Sequence, residues 1–493
     1  MNFSIKLSAI LFCLIMATGC KKFLEEKTFS NLDPSIFPKT EGDLRVLCNG
    51  LYNMLEANEQ YGRSYLIISD IFSDELTTIA LSGPRFEIQN YAITSANSEL
   101  AQCWSRNYTI ISRANVIVKE APTTPVETAK TQPYIAEARF IRALCYFELV
   151  KFFGDVPLII NQPTHLDSLI NFKPFRTAQK EVYKQIIEDL KYAALYLPKE
   201  SAIPGTLKGT ASTGAATALL AKVYLTRAYL PFAEATDFTD AASACEKVIN
   251  SDSYKLFPNY TDVFDVKQKN GVEHIFSIQY DQSPNKTGGM TGFLSPPEVY
   301  PNSFGSFPAE RKFYDEFPST DAIRKKFVFY DQGVGAVGKV KGVAYNFLAS
   351  PTANPYCGKY RDDELAERGF NDRCNYLIMR FADVLLIHSE ALNRINAGDA
   401  NKYTSINKVR ARVNLPALAG LNQTAFEKAV LDERHWELCF EGKRRDDLIR
   451  MGKLVPVMTA LGFTNIKDTH RYYPVPQSEI NLNANLLPQN LGY

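Results

Sequence analysis

Residues 134–160 read YIAEARFIRALCYFELVKFFGDVPLII. Ala, Leu, Glu, Arg and Lys favour a helix, and neither Gly nor Pro interrupts until Gly154. The apolar residues are not confined to one stripe. Phe140, Leu144 and Phe147 share one face, while Ile141, Cys145 and Leu149 share another. Glu137, Arg139, Arg142, Glu148 and Lys151 break the pattern. A helix that is apolar most of the way round is covered on several sides by other elements. Gly154 can adopt the left-handed conformation that ends a helix, and Pro157 prevents a restart. This stretch therefore predicts the central helix of an α-helical body.

Helical periodicity recurs on both sides of it. Leu44, Leu47, Leu51 and Leu55 align in residues 42–59, and Trp104, Tyr108, Ile111 and Asn115 align in 99–120. Residues 177–197 follow the same pattern until Pro198 ends it. Two pairs, 215–230 with 237–250 and 381–396 with 400–413, join two helices through a short turn, as tetratricopeptide-type repeats do. The expected fold class is mainly α, with helical pairs in an α-α superhelical framework, a loop-rich insert and a few short strands.

The insert is the segment 251–375, rich in Gly, Pro, Asn, Tyr and Phe. HIFSIQY at 274–280 alternates and predicts a strand; 326–332 and 343–348 are shorter strand candidates. Residues 61–95 form a long, irregular, polar-aromatic connection, and 288–307 read as loop. Long loops on a rigid body are where binding residues concentrate. Loop position and chemistry select Arg85, Phe86, Tyr91, Tyr280, Phe293, Tyr300 and Phe304 as candidate ligand-binding residues.

The charges balance, with 55 Lys plus Arg against 54 Asp plus Glu, and no basic run stands out. Nucleic acid is therefore not an expected partner. The 26 Tyr and 31 Phe suit a surface that offers apolar ring faces, although helical bundles also bury many such rings. Lys6, an apolar run at 7–16 too short to span a bilayer, and Ala17-Thr18-Gly19 before Cys20 match a bacterial lipoprotein signal. Cys20 is the expected lipidation site, residues 1–19 the expected signal peptide, and the mature chain would be tethered to a membrane by lipid.

Seven cysteines follow Cys20, and none forms a CxxC. Five sit among apolar residues at helix-like positions, while Cys357 and Cys374 lie in loop-like sequence that leaves a pairing open. The five His have no zinc-site spacing, and there is no GxSxG, P-loop or EF-type calcium loop. No cofactor and no metal site are expected. The sequence 429–454, AVLDERHWELCFEGKRRDDLIRMGKL, mixes charges at helical spacings. It reads as a structural ion-pair network rather than an acid/base pair.

EARFIRALCYFELVKFFGDVPL at 137–158 closely resembles a signature of the SusD/RagB family. Other segments are similar in the same order: Cys20 with KFLEEK, Trp104-x3-Tyr108-x2-Ile111-x2-Ala114-Asn115, ADVLLIHSEALNR at 382–394, ERHWELCFEGKRRDDLIR at 433–450, and the ending at 472–493. The resemblance implies an N-terminal helical region over 20–250 and a C-terminal region over 251–493. It implies a cell-surface, outer-membrane lipoprotein that binds oligosaccharides and delivers them to a SusC-like TonB-dependent transporter, without catalysis. A peptide-binding RagB-like member, a surface glycoside hydrolase and a pure protein scaffold remain the alternatives.

Overall fold

The computed structural model describes residues 38–161, 171–281, 290–297, 303–329, 354–362 and 373–493. Helix α1, Glu41–Leu55, starts at a capping box: the Thr40 hydroxyl accepts from the Asp43 amide, and the Asp43 carboxylate accepts from the Thr40 amide. Helix α2 is Ser98–Glu120, with the Asn97 side chain accepting from the Glu99 amide. Helix α3, Thr128–Phe153, is the predicted central helix and is buried almost throughout from Ile135 onward. It begins six residues earlier than the sequence suggested, taking Pro133 into its second turn. At its end Gly154 has φ 73°, and a Cβ there would meet the Gln179 side chain at 2.9 Å.

Each polar break in α3 has a dedicated partner. Glu137 takes a two-pronged bond from Arg45 of α1 at 2.9 and 2.6 Å, plus the Tyr52 hydroxyl at 2.9 Å. The Arg139 guanidinium stacks 4.1 Å over the Tyr192 ring. Arg142 grips Asp189 at 2.8 and 2.7 Å and donates to Asn115 of α2. Lys151 lies between Glu148 at 2.9 Å and Asp446 at 2.7 Å. The charged residues are thus polar spokes that fix what surrounds the helix, since a buried charge persists only when paired.

The row continues through α4, Gln179–Tyr196, α5, Thr213–Arg227, and α6, Asp237–Ile249. In α5, buried Ala215, Ala216, Ala218 and Ala221 let its neighbours approach closely. Strand β1, His274–Ile278, pairs antiparallel with β2, Tyr376–Arg380. Strand β1 lies in the first part of the insert and β2 directly follows its last residue, so their pairing draws the two ends of the insert together. Then α7, Phe381–Ile395, packs back onto α6 as well as α5, so the helical row resumes across the insert. Helices α8, Lys402–Arg412, and α9, Gln423–Leu438, pack on α7, and α10, Arg444–Arg450, follows. The result is a mainly α fold with consecutive antiparallel pairs, as the sequence predicts.

Several local expectations change. Within 326–332, residues through Val328 belong to the helix Ala322–Val328, and Phe329 makes a single bridge to Cys357; the rest lies outside the described residues, as does 343–348. Strand β2 has no alternation to read, because Tyr376, Leu377, Ile378 and Met379 form an unbroken apolar run. The stretch 61–95 contains short helical turns, including Pro84–Gln89. Cys357 and Cys374 are both buried and form no disulfide with each other.

Candidate functional site

The insert and the 61–95 connection meet in a small backbone ladder. Leu76 bridges Ala309, the Thr77 amide donates to the Pro308 carbonyl at 2.8 Å, and the Ile79 amide donates to the Ser306 carbonyl at 3.2 Å. The Phe304 amide donates to the Gly292 carbonyl at 2.7 Å and the Phe307 amide to the Phe293 carbonyl at 3.1 Å. Gly305, at φ 54°, turns the chain between these bonds; a Cβ there would meet Pro297 at 2.7 Å and the Tyr356 hydroxyl at 2.9 Å. This geometry directs Phe304 outward, 51% exposed, while Phe293 and Phe307 stay buried.

Opposite, Gly83 at φ 80° and Pro84 start the short helix that presents Arg85 and Phe86. The Arg85 guanidinium lies 5.2 Å over the Phe307 ring and 5.9 Å over Phe293. Phe293 in turn stacks on Phe304 at 6.0 Å and on Phe307 at 5.4 Å. Glu99 holds Arg85 from behind at 3.7 Å and is itself fixed by the Ser64 hydroxyl at 2.8 Å. Burial pulls the Arg85 guanidinium below its ordinary value, against the Glu99 carboxylate that supports its charge. Exposed Ile79, Leu81 and Phe86 extend the surface, giving a ledge of apolar side chains around one guanidinium.

Four sequence candidates, Arg85, Phe86, Phe293 and Phe304, therefore belong to this ledge. Tyr91 and Tyr280 do not. Tyr91 is buried with its hydroxyl donating to the Phe72 carbonyl at 2.6 Å, and Tyr280 is buried with its hydroxyl on the Glu56 carbonyl at 3.2 Å. Both are core residues, because each hydroxyl satisfies a backbone carbonyl that no water reaches. Tyr300 and Cys20 lie outside the described residues. Sequence reasoning missed Ile79, Leu81 and Phe307. Phe307 stood at the end of the loop already singled out, and the first two carry no sequence signal beyond their loop position.

Beneath the ledge the Glu310 carboxyl sits near Thr77 and Gln89; burial pushes it up to about 7, opposed by those hydrogen bonds and aided by the Asp74 charge. The charged run at 433–450 is elsewhere and is interior. Arg380 donates to Glu273 at 2.9 Å, Glu437 at 2.6 Å and Glu441 at 2.9 Å. Arg324 joins Glu433 at 2.8 Å to Glu437 at 3.0 Å, and Arg434 joins Asp383 to Asp447. Although burial opposes it, Arg412, then Arg380 and Arg324, hold the Glu437 carboxyl far below the usual range. These carboxylates are committed to cations, which is scaffold chemistry. Among the described residues no cluster of His, Cys, Asp and Glu could hold a metal ion, and no helix is long and apolar enough to cross a membrane.

Comparison with known proteins places this architecture. A model described as "SusD family" matches residues 348–493, and one described as "Starch-binding associating with outer membrane" matches 22–225. SusD-like protein P2 of Formosa agariphila is 30% identical, over 97% of this chain and 98% of its own length. A SusD homologue from Bacteroides thetaiotaomicron superposes with TM-score 0.80 at 25% identity, covering 93% of this chain and 98% of the homologue. A laminarin-binding SusD-like protein superposes with TM-score 0.77 at 25% identity, covering 92% and 100%. Both ends of the chain, its helical order and its near-complete overlap with these relatives agree: the chain belongs to the SusD family.

Proposed function

We propose that the ledge around Arg85 and Phe304 binds an oligosaccharide, and that the chain passes it to a SusC-like TonB-dependent transporter without cleaving it. The observation that carries this reading is the exposed Phe304 ring, backed by Phe293 and Phe307 and flanked by Phe86 and Arg85. A pyranose lays its C–H face on an aromatic ring, while a guanidinium donates to its hydroxyls. Arg85 is positioned by Glu99 before any ligand arrives, which lowers the ordering cost of binding. Membership of the SusD family and the likeness to a laminarin-binding relative support the same ligand class. Lipidation at Cys20 would hold the ledge at the outer face of the outer membrane, where polymer fragments arrive.

The test is a calorimetric titration of the detergent-solubilised chain with β-glucan, xyloglucan and starch oligosaccharides, followed by product analysis. Saturable heat with unchanged oligosaccharide is the expected result. Shortened products would instead make the chain a hydrolase. Silence with every glycan would remove the proposed ligand class.

A further inference from the structure

A second recess lies among the helical pairs, away from the ledge. It has a volume of about 770 Å³ and is walled by α4, α5, α6 and the turn that follows α6. Its floor is small and aliphatic, with Gly214, Ala194, Leu220, Ala244 and Val248. Gly214 is needed there, because a Cβ would come within 2.4 Å of the Tyr254 ring. Tyr224 and Tyr254 are only 6% and 5% exposed, so they present edges and no flat face on which a sugar ring could stack.

The rim is cationic. Lys191, Lys199 and Lys247 line it against Glu200 and Asp240. Glu200 is already neutralised by Lys208 at 2.7 Å, and Asp240 accepts from the Thr236 hydroxyl at 2.9 Å. Lys191 meets the Tyr224 hydroxyl, whereas the ammonium groups of Lys199 and Lys247 have no hydrogen bond or ion pair among the described residues. Ser243 and Asn250 are exposed on the same walls, and their side chains likewise have no partner among the described residues. A surface with uncompensated ammonium groups, free amide and hydroxyl groups and a shallow aliphatic floor complements an extended chain carrying carboxylates and aliphatic side chains.

We propose that this groove is a docking site for an extended acidic peptide segment of a partner protein. Lys199 and Lys247 pair with its Asp or Glu side chains, Ser243 and Asn250 bond its backbone, and the Ala194, Ala244 and Val248 floor takes its aliphatic side chains. The stacked helical pairs supply the concave surface, as in other helical solenoids. The site is independent of the ledge, so each can fail alone.

The test is fluorescence anisotropy of the detergent-solubilised chain with a labelled Leu/Glu peptide and its Leu/Lys counterpart. Saturable binding of the acidic peptide, weakened by salt, is expected. The double variant K199Q/K247Q should bind it about 10-fold more weakly or worse. Its melting temperature should be unchanged, since both lysines are exposed. Phe304→Ala should leave peptide binding intact. Equal binding of the basic peptide, no binding of the acidic one, or an unaltered K199Q/K247Q variant would overturn the proposal. So would preferential binding of polygalacturonate, which would give the groove to acidic glycans.

Discussion

Lys151 Nζ lies 2.7 Å from Asp446 Oδ2, joining the last turn of α3 to α10 across 295 residues of sequence. Glu148 shares the same ammonium at 2.9 Å, and burial is opposed by both carboxylates, so the Lys151 ammonium titrates above its ordinary value. The central helix of the N-terminal half is thus bolted to the charged run of the C-terminal half.

Removing the ammonium leaves buried Glu148 without its cation and Asp446 with only Arg445, 3.6 Å away. Lys151→Met should therefore cost about 3–5 kcal/mol, the range for a broken buried pair. Chemical denaturation monitored by far-ultraviolet circular dichroism checks this. A midpoint equal to that of the parent chain would mean that the triad contributes nothing to holding the halves together.

The ledge and the core tyrosines should separate cleanly. Phe304→Ala and Arg85→Ala should each weaken glycan binding about 10-fold or more; the melting temperature should hardly change for Phe304→Ala, whose ring is half exposed, and only modestly for Arg85→Ala, which is partly buried but leaves Glu99 its pairing with Arg63. Tyr91→Phe and Tyr280→Phe should do the reverse. Each orphans a buried carbonyl, that of Phe72 or Glu56, costing about 1–3 kcal/mol of stability while leaving affinity unchanged. Paired calorimetry and thermal melts on the four variants decide between these assignments.

Stability should depend on pH through Glu310. Its carboxyl is raised from an ordinary 4.5 to about 7 in the folded chain. Between those values the native state holds a proton that the unfolded state has released. The contribution of this group is therefore full below about 4.5 and is lost as pH rises through 7. Glu310→Gln should flatten the fall in melting temperature over that window. A wild-type slope retained in the variant would assign it to another group.

The membrane attachment is tested at Cys20. Metabolic labelling with a clickable palmitate analogue should mark the wild-type chain, and Cys20→Ser should lose the label and leave the outer-membrane fraction. Membrane retention of an unlabelled Cys20→Ser chain would point to attachment by a partner instead.

Much of the scaffold was legible along the chain. Residues 134–160 announced a helix buried on all sides because apolar side chains occupy several faces at the 3.6-residue period, and a local period needs no knowledge of what covers it. The boundaries of α2, α4 and α6 fall within two residues of those read from periodicity and Pro or Gly stops. The mixed charges at 433–450 read as a structural network because opposite signs recur at three- and four-residue spacings, where they can pair. Their partners Arg324, Arg380 and Asp74 lie far away in sequence, so the extent of the network did not show.

The candidate site was legible only as chemistry. Arg85, Phe86, Phe293 and Phe304 were marked by residue type and loop position, and so were Tyr91 and Tyr280, which turned inward. Sequence determined the helical period, the helix stops, the balance of charge and the family resemblance, all of which are local or ordered along the chain. Tertiary structure decided which aromatics face solvent and which carboxylates find a cation. It also decided that segments 76–86, 292–297 and 303–307 make one ledge. The reason is physical: an aromatic ring gains free energy whether it packs in the core or meets a ligand, and only the backbone turns at Gly83 and Gly305 settle which way it points.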